Sequence, residues 1–200
     1  MGELYLARHG ETEWSRSGRH TGGTDLPLTP AGEAQARSLA PLLAGRDFAL
    51  VLTSPLARAR RTAELAGLAG AEPEPDLREW DYGAYEGVTT ADIHTTRPDW
   101  DLWTDGVPPG EEFPGESPEQ VGARADRVLA RIAGALEQGD VMLVAHGHLL
   151  RVLTARRLGL HPSHGRLFRL ETGTLSRLSL EHGSPVIAEW NTRPPAPAQD

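Results

Sequence analysis

The stretch that decides the fold is Leu4-Tyr5-Leu6-Ala7-Arg8-His9-Gly10, in which a short apolar run leads directly into two polar residues. An apolar run of this kind is typical of a strand covered on both faces. The same pattern recurs at Phe48–Thr53, followed by Ser54, and at Val141–Ala145, followed by His146. Ligand sites of open α/β sheets lie beyond the carboxyl ends of the strands. We therefore expect these polar groups to meet at one edge of a sheet.

Helix signals lie between these strands. Thr29-Pro30 predicts the N-cap and first residue of a helix, in which Pro41 predicts a kink or a break near Ala40. Ser54-Pro55 predicts the start of a second helix. Ser117-Pro118-Glu119-Gln120 fits a capping box at the start of a third.

The alternation of strands and helices predicts the fold class. It indicates a three-layer α/β/α arrangement around a mostly parallel sheet. We expect a single domain over residues 1–191 and a disordered tail over residues 192–200, which contain three prolines and two alanines.

The composition excludes several kinds of chemistry. A formal net charge of −8 over 200 residues argues against nucleic acid or an anionic membrane as a partner, because both require a basic surface. Cysteine and lysine are absent, so all 20 basic residues are arginine. Disulfides, thiolate nucleophiles, Walker-type phosphate loops and Schiff-base chemistry are therefore excluded. Without an apolar run long enough to cross a bilayer or a recognisable signal peptide, we expect a cytoplasmic protein. A homodimer is left open.

The residues after the strands suit phosphoryl transfer. A neutral imidazole such as that of His9 accepts a phosphoryl group without activation by a base, provided that its other nitrogen is held in one tautomer. Arginine suits the phosphoryl oxygens because its planar fork gives two aligned donors and keeps its charge. Arg8 and Arg58 supply two such forks, and the helix that follows Pro55 would add free backbone N–H groups.

The chain resembles the histidine phosphatase superfamily, in the branch that contains the cofactor-dependent phosphoglycerate mutases. Within that branch it is most similar to actinobacterial broad-specificity acid phosphatases and to fungal sedoheptulose-1,7-bisphosphatases. The resemblance covers most of the chain up to about Leu158, in the family's order. The matching blocks are Leu6–Thr12, Trp14, Gly18-Arg19, Thr21-Gly22, Asp25, Pro27–Thr29 and Gly32, then Thr53–Leu56, Arg58-Ala59 and Thr62-Ala63, then Leu77–Gly83 and Glu86-Gly87, and finally Val144–His148.

The resemblance implies a role for each site residue. His9 would be the phosphorylated nucleophile and Glu79 the proton donor to the leaving oxygen, with Asp81 as the alternative donor. The residues expected to bind the phosphoryl group or lie near the substrate are Arg8, Ser15, Thr21, Arg58, His146 and Gly147. The family often has Asn where this chain has Ser15, and the shorter hydroxyl puts one phosphate contact in doubt. A donor must be protonated near the working pH, and Trp80 and Tyr82 would bury Glu79 for that purpose.

Three other functions compete with a metal-independent phosphatase of a small phosphorylated metabolite. His146-x-His148 and His161-x-x-His164 have spacings that suit a metal, but neither pair has an adjacent acid, so we expect no metal and no other cofactor. A phosphoglycerate mutase needs basic residues for a second phosphate, whereas residues 99–119 contain seven carboxylates and no arginine. A non-catalytic phosphometabolite-binding module would be expected to lack the nucleophile or the donor, and both are present.

Overall fold

The residues of β1 (Leu4–Arg8) alternate between two apolar clusters, because successive side chains of a strand point to opposite faces. In the computed structural model, which describes residues 1–193, Leu4 and Leu6 pack in one cluster. Tyr5 and Ala7 pack in the other. Helices cover both faces of the sheet, so the expected α/β/α layering is confirmed.

The sheet has six strands in the order β3-β2-β4-β1-β5-β6. The remaining strands are β2 (Phe48–Thr53), β3 (Glu72–Pro73), β4 (Asp140–Ala145), β5 (Leu175–Glu181) and β6 (Ser184–Thr192). The pairings β1–β4, β2–β4 and β2–β3 are parallel, whereas β1–β5 and β5–β6 are antiparallel. The expectation of a mostly parallel sheet is therefore confirmed, and its parallel half carries the three strands singled out in the sequence.

The helices divide between the two faces. Side chains of α2 and α3 join the cluster of Tyr5, and side chains of α6 and α7 join the cluster of Leu4. The helices are α1 (Glu13–Ser17), α2 (Pro30–Leu43), α3 (Ala57–Leu65), α4 (Thr90–His94), α5 (Leu102–Asp105), α6 (Pro118–Gln138) and α7 (Gly147–Arg157). Three short 3₁₀ helices span Pro75–Leu77, Gly83–Tyr85 and Pro162–Leu167.

Local capping signals in the sequence are mostly confirmed. The Thr29 side chain accepts a hydrogen bond from the Gly32 N–H, and Ser117 forms a reciprocal capping box with Gln120. The predicted break near Ala40 is wrong, because α2 continues through Pro41 to Leu43. Pro41 is exposed and lies in the last turn of α2, so only one backbone hydrogen bond close to the helix end is lost there.

The predicted helix start at Ser54-Pro55 is also wrong. Helix α3 begins at Ala57, and its N-cap residue Leu56 offers no side-chain hydrogen bond. The Ser54 hydroxyl accepts a hydrogen bond from the Leu56 N–H at 3.3 Å. It is also hydrogen-bonded to His146, which follows the neighbouring strand β4. The hydroxyl that the local sequence pattern assigned to a helix cap is thus bonded to a residue that is distant in the sequence.

The last strand extends further than expected. β6 ends at Thr192, which pairs with Leu175, so the expected tail loses its first residue to the sheet. Residues 194–200 of that tail lie outside the described residues, and the domain boundary at 191 stays a prediction. No helix within residues 1–193 is long and apolar enough to cross a membrane.

A close backbone approach positions the loop after β1 on the start of α2. A Cβ on Gly32 would lie 2.1 Å from the carbonyl oxygen of Glu11, and a Cβ on Gly10 would lie 2.2 Å from the carbonyl oxygen of Gly32. Neither contact can be relieved by a side-chain rotation, because both involve backbone atoms. The segment that carries His9 is therefore held by two glycines.

We expect Gly32→Ala to lower the free energy of unfolding by about 2 kcal/mol, because the added methyl group must displace the Glu11 backbone. Urea-induced unfolding measures this change. Gly134→Ala is the matched control: it lies inside α6 with nothing within 4 Å of the added Cβ, and should stabilise the protein by about 1 kcal/mol. Equal effects of the two variants would contradict the proposed close approach.

Candidate active site

The three polar strand ends meet, as the sequence predicted. β2, β4 and β1 are consecutive in the sheet, so the residues after them share one edge. The backbone continues the pairing: the His9 N–H donates to the Ala145 carbonyl and the Ser54 N–H to the Val144 carbonyl, each at 2.9 Å. The rings of His9 and His146 are 5.1 Å apart between centroids.

His9 is held as a neutral imidazole with one free nitrogen. Its Nδ1 lies 2.7 Å from the Gly10 carbonyl oxygen, which can only accept, so Nδ1 carries the hydrogen and Nε2 the lone pair. Burial lowers the pKa of His9 well below 6.5, and the positive charges of Arg58 and Arg8 lower it further. This geometry gives the ring the tautomer and the charge state that a nucleophile requires.

His146 and Ser54 form a buried support behind His9. Arg58 Nε donates to His146 Nδ1 at 3.2 Å, so the hydrogen of the neutral ring is on Nε2, which donates to Ser54 Oγ at 2.7 Å. Burial, with the charge of Arg58 next in importance, lowers the pKa of His146 well below 6.5. Both ring nitrogens are occupied, so a direct contact between His146 and a phosphoryl oxygen would require one of these hydrogen bonds to break.

Arg58 is fully buried and bonded to the loop before α2. Its Nη2 donates to the Thr21 and Gly22 carbonyls, and its Nη1 donates to the Thr24 carbonyl at 2.9 Å. With the bond to His146, four of the five N–H groups of the guanidinium are used. Arg58 thus acts on His9 through its charge, and only one N–H group is left for a phosphoryl oxygen.

Arg8 is the arginine with a donor to spare. Its Nη1 donates to the Leu170 carbonyl at 2.6 Å, whereas its Nε is buried and has no hydrogen-bond partner within residues 1–193. A Cβ on Gly147 would lie 3.1 Å from Cζ of Arg8, so the guanidinium packs on the first residue of α7. The N–H groups of a first helical turn have no acceptor within the helix. Donors of two kinds therefore converge beside His9.

Glu79 is buried at the start of α7. One carboxylate oxygen accepts the N–H groups of Trp80 and Leu149, at 2.9 and 2.8 Å, and the other accepts the N–H of His148 at 3.0 Å. The two acids that flank Glu79 in the sequence, Asp76 and Asp81, have other partners. Asp76 pairs with Arg127, and Asp81 accepts the N–H groups of Gly83 and Gly115. The helix start, not a cluster of acids, thus surrounds Glu79.

Ser15 and Thr21 lie at the wall of the site with their hydroxyls engaged locally. Ser15 completes a capping box with Thr12 at the start of α1, which the sequence analysis did not anticipate. The Thr21 hydroxyl donates to the Arg19 carbonyl at 3.1 Å. Their expected proximity to the substrate thus agrees with their position, but both hydroxyls already have a local hydrogen bond.

These groups line a pocket of about 210 Å³, which we call the catalytic pocket. Six of the eight predicted site residues line it: Arg8, His9, Ser15, Thr21, Glu79 and Gly147. Arg58 and His146 lie behind the wall. The sequence analysis missed His20, Tyr82, Thr90, Arg151 and Leu170 as lining residues. The family-like blocks contain Tyr82, but nothing in the sequence indicates Leu170, which enters from the loop before β5.

The acidic segment 99–119 does not surround the catalytic pocket. As the described residues are placed, none of its seven carboxylates belongs to the pocket lining. Glu116 pairs with Arg124 at 2.7 Å, and Asp101 lines a neighbouring cavity. This acidic segment therefore does not repel a second phosphate from the pocket wall. The preference for a phosphatase over a mutase needs other support.

The histidine pairs considered as metal ligands have other contacts. His148 Nδ1 lies 2.5 Å from the Tyr82 hydroxyl, and His161 bonds to Ser163 within its own turn. Within residues 1–193 there is no group of three or more histidine, cysteine or acidic side chains placed to hold a metal ion.

A buried neutral imidazole beside an unpaired arginine donor, at the carboxyl edge of an α/β sheet, defines a site for phosphoryl groups. The family model of the histidine phosphatase superfamily (branch 1) matches residues 4–193. The chain belongs to this family.

Two curated relatives and one solved structure extend this result. An acid phosphatase of Mycobacterium tuberculosis is 43% identical over 187 residues, which cover 92% of this chain and 90% of the relative. A sedoheptulose 1,7-bisphosphatase of Saccharomyces cerevisiae is 37% identical over 186 residues, covering 78% of this chain and 67% of the relative. The solved structure of a Mycobacterium tuberculosis open reading frame superposes with a TM-score of 0.90 at 40% identity, covering 96% and 98% of the two chains.

The buried histidines predict a pH-dependent stability. The pKa values of His9, His146 and His148 are lowered well below 6.5 by burial, so the unfolded chain binds protons that the folded protein does not. The stability is therefore full above about pH 6.5 and is lost as the pH falls below it, by about 1.4 kcal/mol per pH unit for each histidine.

Urea-induced unfolding between about pH 7.5 and 5.5 measures this loss. His9→Gln is the matched variant and should show a smaller decrease over the same range, because one of the three histidines no longer contributes. A free energy of unfolding that is constant over this range would contradict the neutral, buried state of these rings.

Proposed function

We propose that the protein is a metal-independent phosphomonoester hydrolase that acts on a small phosphorylated metabolite through a phosphohistidine at His9. The observation that carries this proposal is the free Nε2 lone pair of His9 in a pocket that also holds the unpaired Nε of Arg8. An imidazole held in this tautomer needs no base to accept a phosphoryl group.

In the first step, His9 Nε2 attacks phosphorus and the bond to the leaving oxygen breaks. Arg8 and the Gly147 N–H, the one in the first turn of α7 that Glu79 does not use, bind the equatorial oxygens, where the negative charge is spread in the transition state. The charge of buried Arg58 stabilises the same group from behind His9. Glu79, which lines the pocket, gives a proton to the leaving oxygen, so that an alcohol departs.

In the second step, water attacks the phosphohistidine. Glu79, now a carboxylate, accepts a proton from the water, the P–N bond breaks and inorganic phosphate leaves with His9 neutral again. Three backbone N–H groups hold the Glu79 carboxyl group in place for both steps. One residue thus serves as acid in one step and as base in the next.

The relatives support hydrolysis of a small metabolite. The similarity to an acid phosphatase and to a sedoheptulose bisphosphatase favours a sugar phosphate or a phosphoglycerate-type substrate. The branch also contains cofactor-dependent mutases, which would move the phosphoryl group to a second substrate oxygen instead of water. A cytoplasmic location and a homodimer both stay predictions.

We expect His9→Ala to lower phosphate release by at least about 10³-fold, because the nucleophile is lost. Phosphate release is measured with sugar phosphates, 3-phosphoglycerate and an aryl phosphate, all in excess EDTA, which should leave the wild-type rate unchanged. Wild-type protein quenched in alkali during turnover should carry an acid-labile phosphoryl group that His9→Ala lacks.

His161→Ala is the control variant, since His161 is exposed and lies outside the catalytic pocket. Loss of activity in EDTA would indicate a metal enzyme and contradict the proposal. Isomerised phosphoglycerate without phosphate release would identify a mutase, and binding without any turnover would identify a phosphometabolite-binding module.

Glu79→Gln should slow phosphate release from alkyl phosphates by about 10²- to 10⁴-fold, because an alkoxide cannot leave without a proton. The loss should be much smaller with 4-nitrophenyl phosphate, whose leaving group is acidic. Asp81→Asn is the matched control and should show no such dependence on the leaving group, because Asp81 does not line the pocket. Equal losses with both kinds of substrate would assign Glu79 a structural role.

A further inference from the structure

A second cavity of about 280 Å³ adjoins the catalytic pocket. The two share His20, Thr90 and His148 as lining residues, so the part of a substrate beyond the phosphoryl group extends from one into the other. We call this second cavity the distal cavity. Its other lining residues come from α4, α5 and the turn between them.

Two histidines of the distal cavity have a free acceptor nitrogen. The Nδ1–H of His20 donates to the Val88 carbonyl at 2.7 Å, and burial lowers the pKa of His20, so the neutral ring keeps its lone pair on Nε2. The Nε2–H of His94 donates to the Trp100 carbonyl at 2.9 Å, and in that tautomer Nδ1 is the acceptor nitrogen.

The Asp101 carboxylate and the Thr90 hydroxyl supply further acceptors, whereas the Nε1–H of Trp103, which has no acceptor within residues 1–193, is a donor. Asp101 Oδ1 caps α5 by accepting a hydrogen bond from the Trp103 N–H. The other carboxylate oxygen, Oδ2, is left available for a ligand. The Thr90 hydroxyl makes no hydrogen bond within residues 1–193, since the cap of α4 is provided by Thr89. A hydroxyl both donates and accepts.

No guanidinium belongs to the lining of the distal cavity as residues 1–193 are placed, and the chain has no lysine. A ligand carboxylate or second phosphate would face the Asp101 carboxylate without a cationic side chain to neutralise its charge. A ligand with several hydroxyl groups supplies the donors that these acceptors require. The indole and imidazole edges of Trp100 and His148 supply apolar surface for its C–H groups.

We propose that the distal cavity is the subsite for the leaving group and that it binds an uncharged, polyhydroxylated group, the sugar part of a sugar phosphate. This inference rests on the proposed phosphatase function and narrows its substrate class from sugar phosphates or phosphoglycerates to sugar phosphates. Asp101 is the residue that distinguishes the two classes, because it lines the distal cavity and not the catalytic pocket.

The test uses Asp101→Asn, which keeps an oxygen for the cap of α5 but replaces the free carboxylate oxygen by an amide donor. We expect kcat/KM for a hexose phosphate to fall about 10-fold, mainly through KM, because a hydrogen bond to a charged acceptor is lost. The value for an aryl phosphate without hydroxyl groups should stay within about twofold.

Asp99→Asn is the matched control, since it makes the same charge change at an exposed residue outside the cavity. It should leave all substrates unaffected. A wild-type preference for 3-phosphoglycerate over hexose phosphates, or equal effects of Asp101→Asn on hexose and aryl phosphates, would overturn the subsite while the phosphatase function stands. Failure of the wild type to release phosphate from any substrate would overturn the phosphatase function itself, and the subsite with it.

Discussion

Arg58 carries a full positive charge where its side chain has no contact with solvent. Such a charge is tolerated only when its N–H groups find acceptors, and here the acceptors come from two separate parts of the chain. Carbonyls of residues 21–24 bind one side of the guanidinium and His146, at the end of β4, binds the other. The need to satisfy one buried cation thus fixes the loop, the helix and the strand end around His9.

The same cation sets the charge state of the site. Its field and that of Arg8 oppose protonation of His9 and His146, which burial already disfavours. His9 therefore stays a nucleophile, and His146 stays a neutral link that accepts from Arg58 and donates to Ser54. A phosphoryl group that arrives at this edge supplies the negative charge that the two arginines lack in the free protein. A phosphoryl group that binds there would therefore also neutralise the positive charge of the two arginines.

The sequence predicted the parts of this arrangement that depend on local patterns. Apolar runs gave the three strands, and side-chain caps gave the starts of α2 and α6, because both signals are complete within a few residues. The predicted start of α3 was wrong because Ser54 bonds to His146, which is 92 residues away in the sequence. No local pattern reveals a contact of this kind. Of the eight site residues expected from the blocks that resemble the family, six line the pocket. The blocks did not predict that the other two, Arg58 and His146, lie behind the pocket wall.

The two ends of the substrate site have opposite hydrogen-bonding character, and this follows from where their groups come from. The phosphoryl end is built from Arg8 and the Gly147 N–H at the start of α7, which are donors. The distal end is built from imidazoles whose N–H groups are committed to backbone carbonyls, and from a carboxylate with one free oxygen. A phosphate has only acceptors to offer and a sugar offers hydroxyl donors, so a sugar phosphate satisfies both ends in one orientation. The reverse orientation would place the phosphate against the Asp101 carboxylate and leave the buried Nε of Arg8 without a partner. The same hydrogen bonds that would bind a sugar phosphate would thus also fix its orientation.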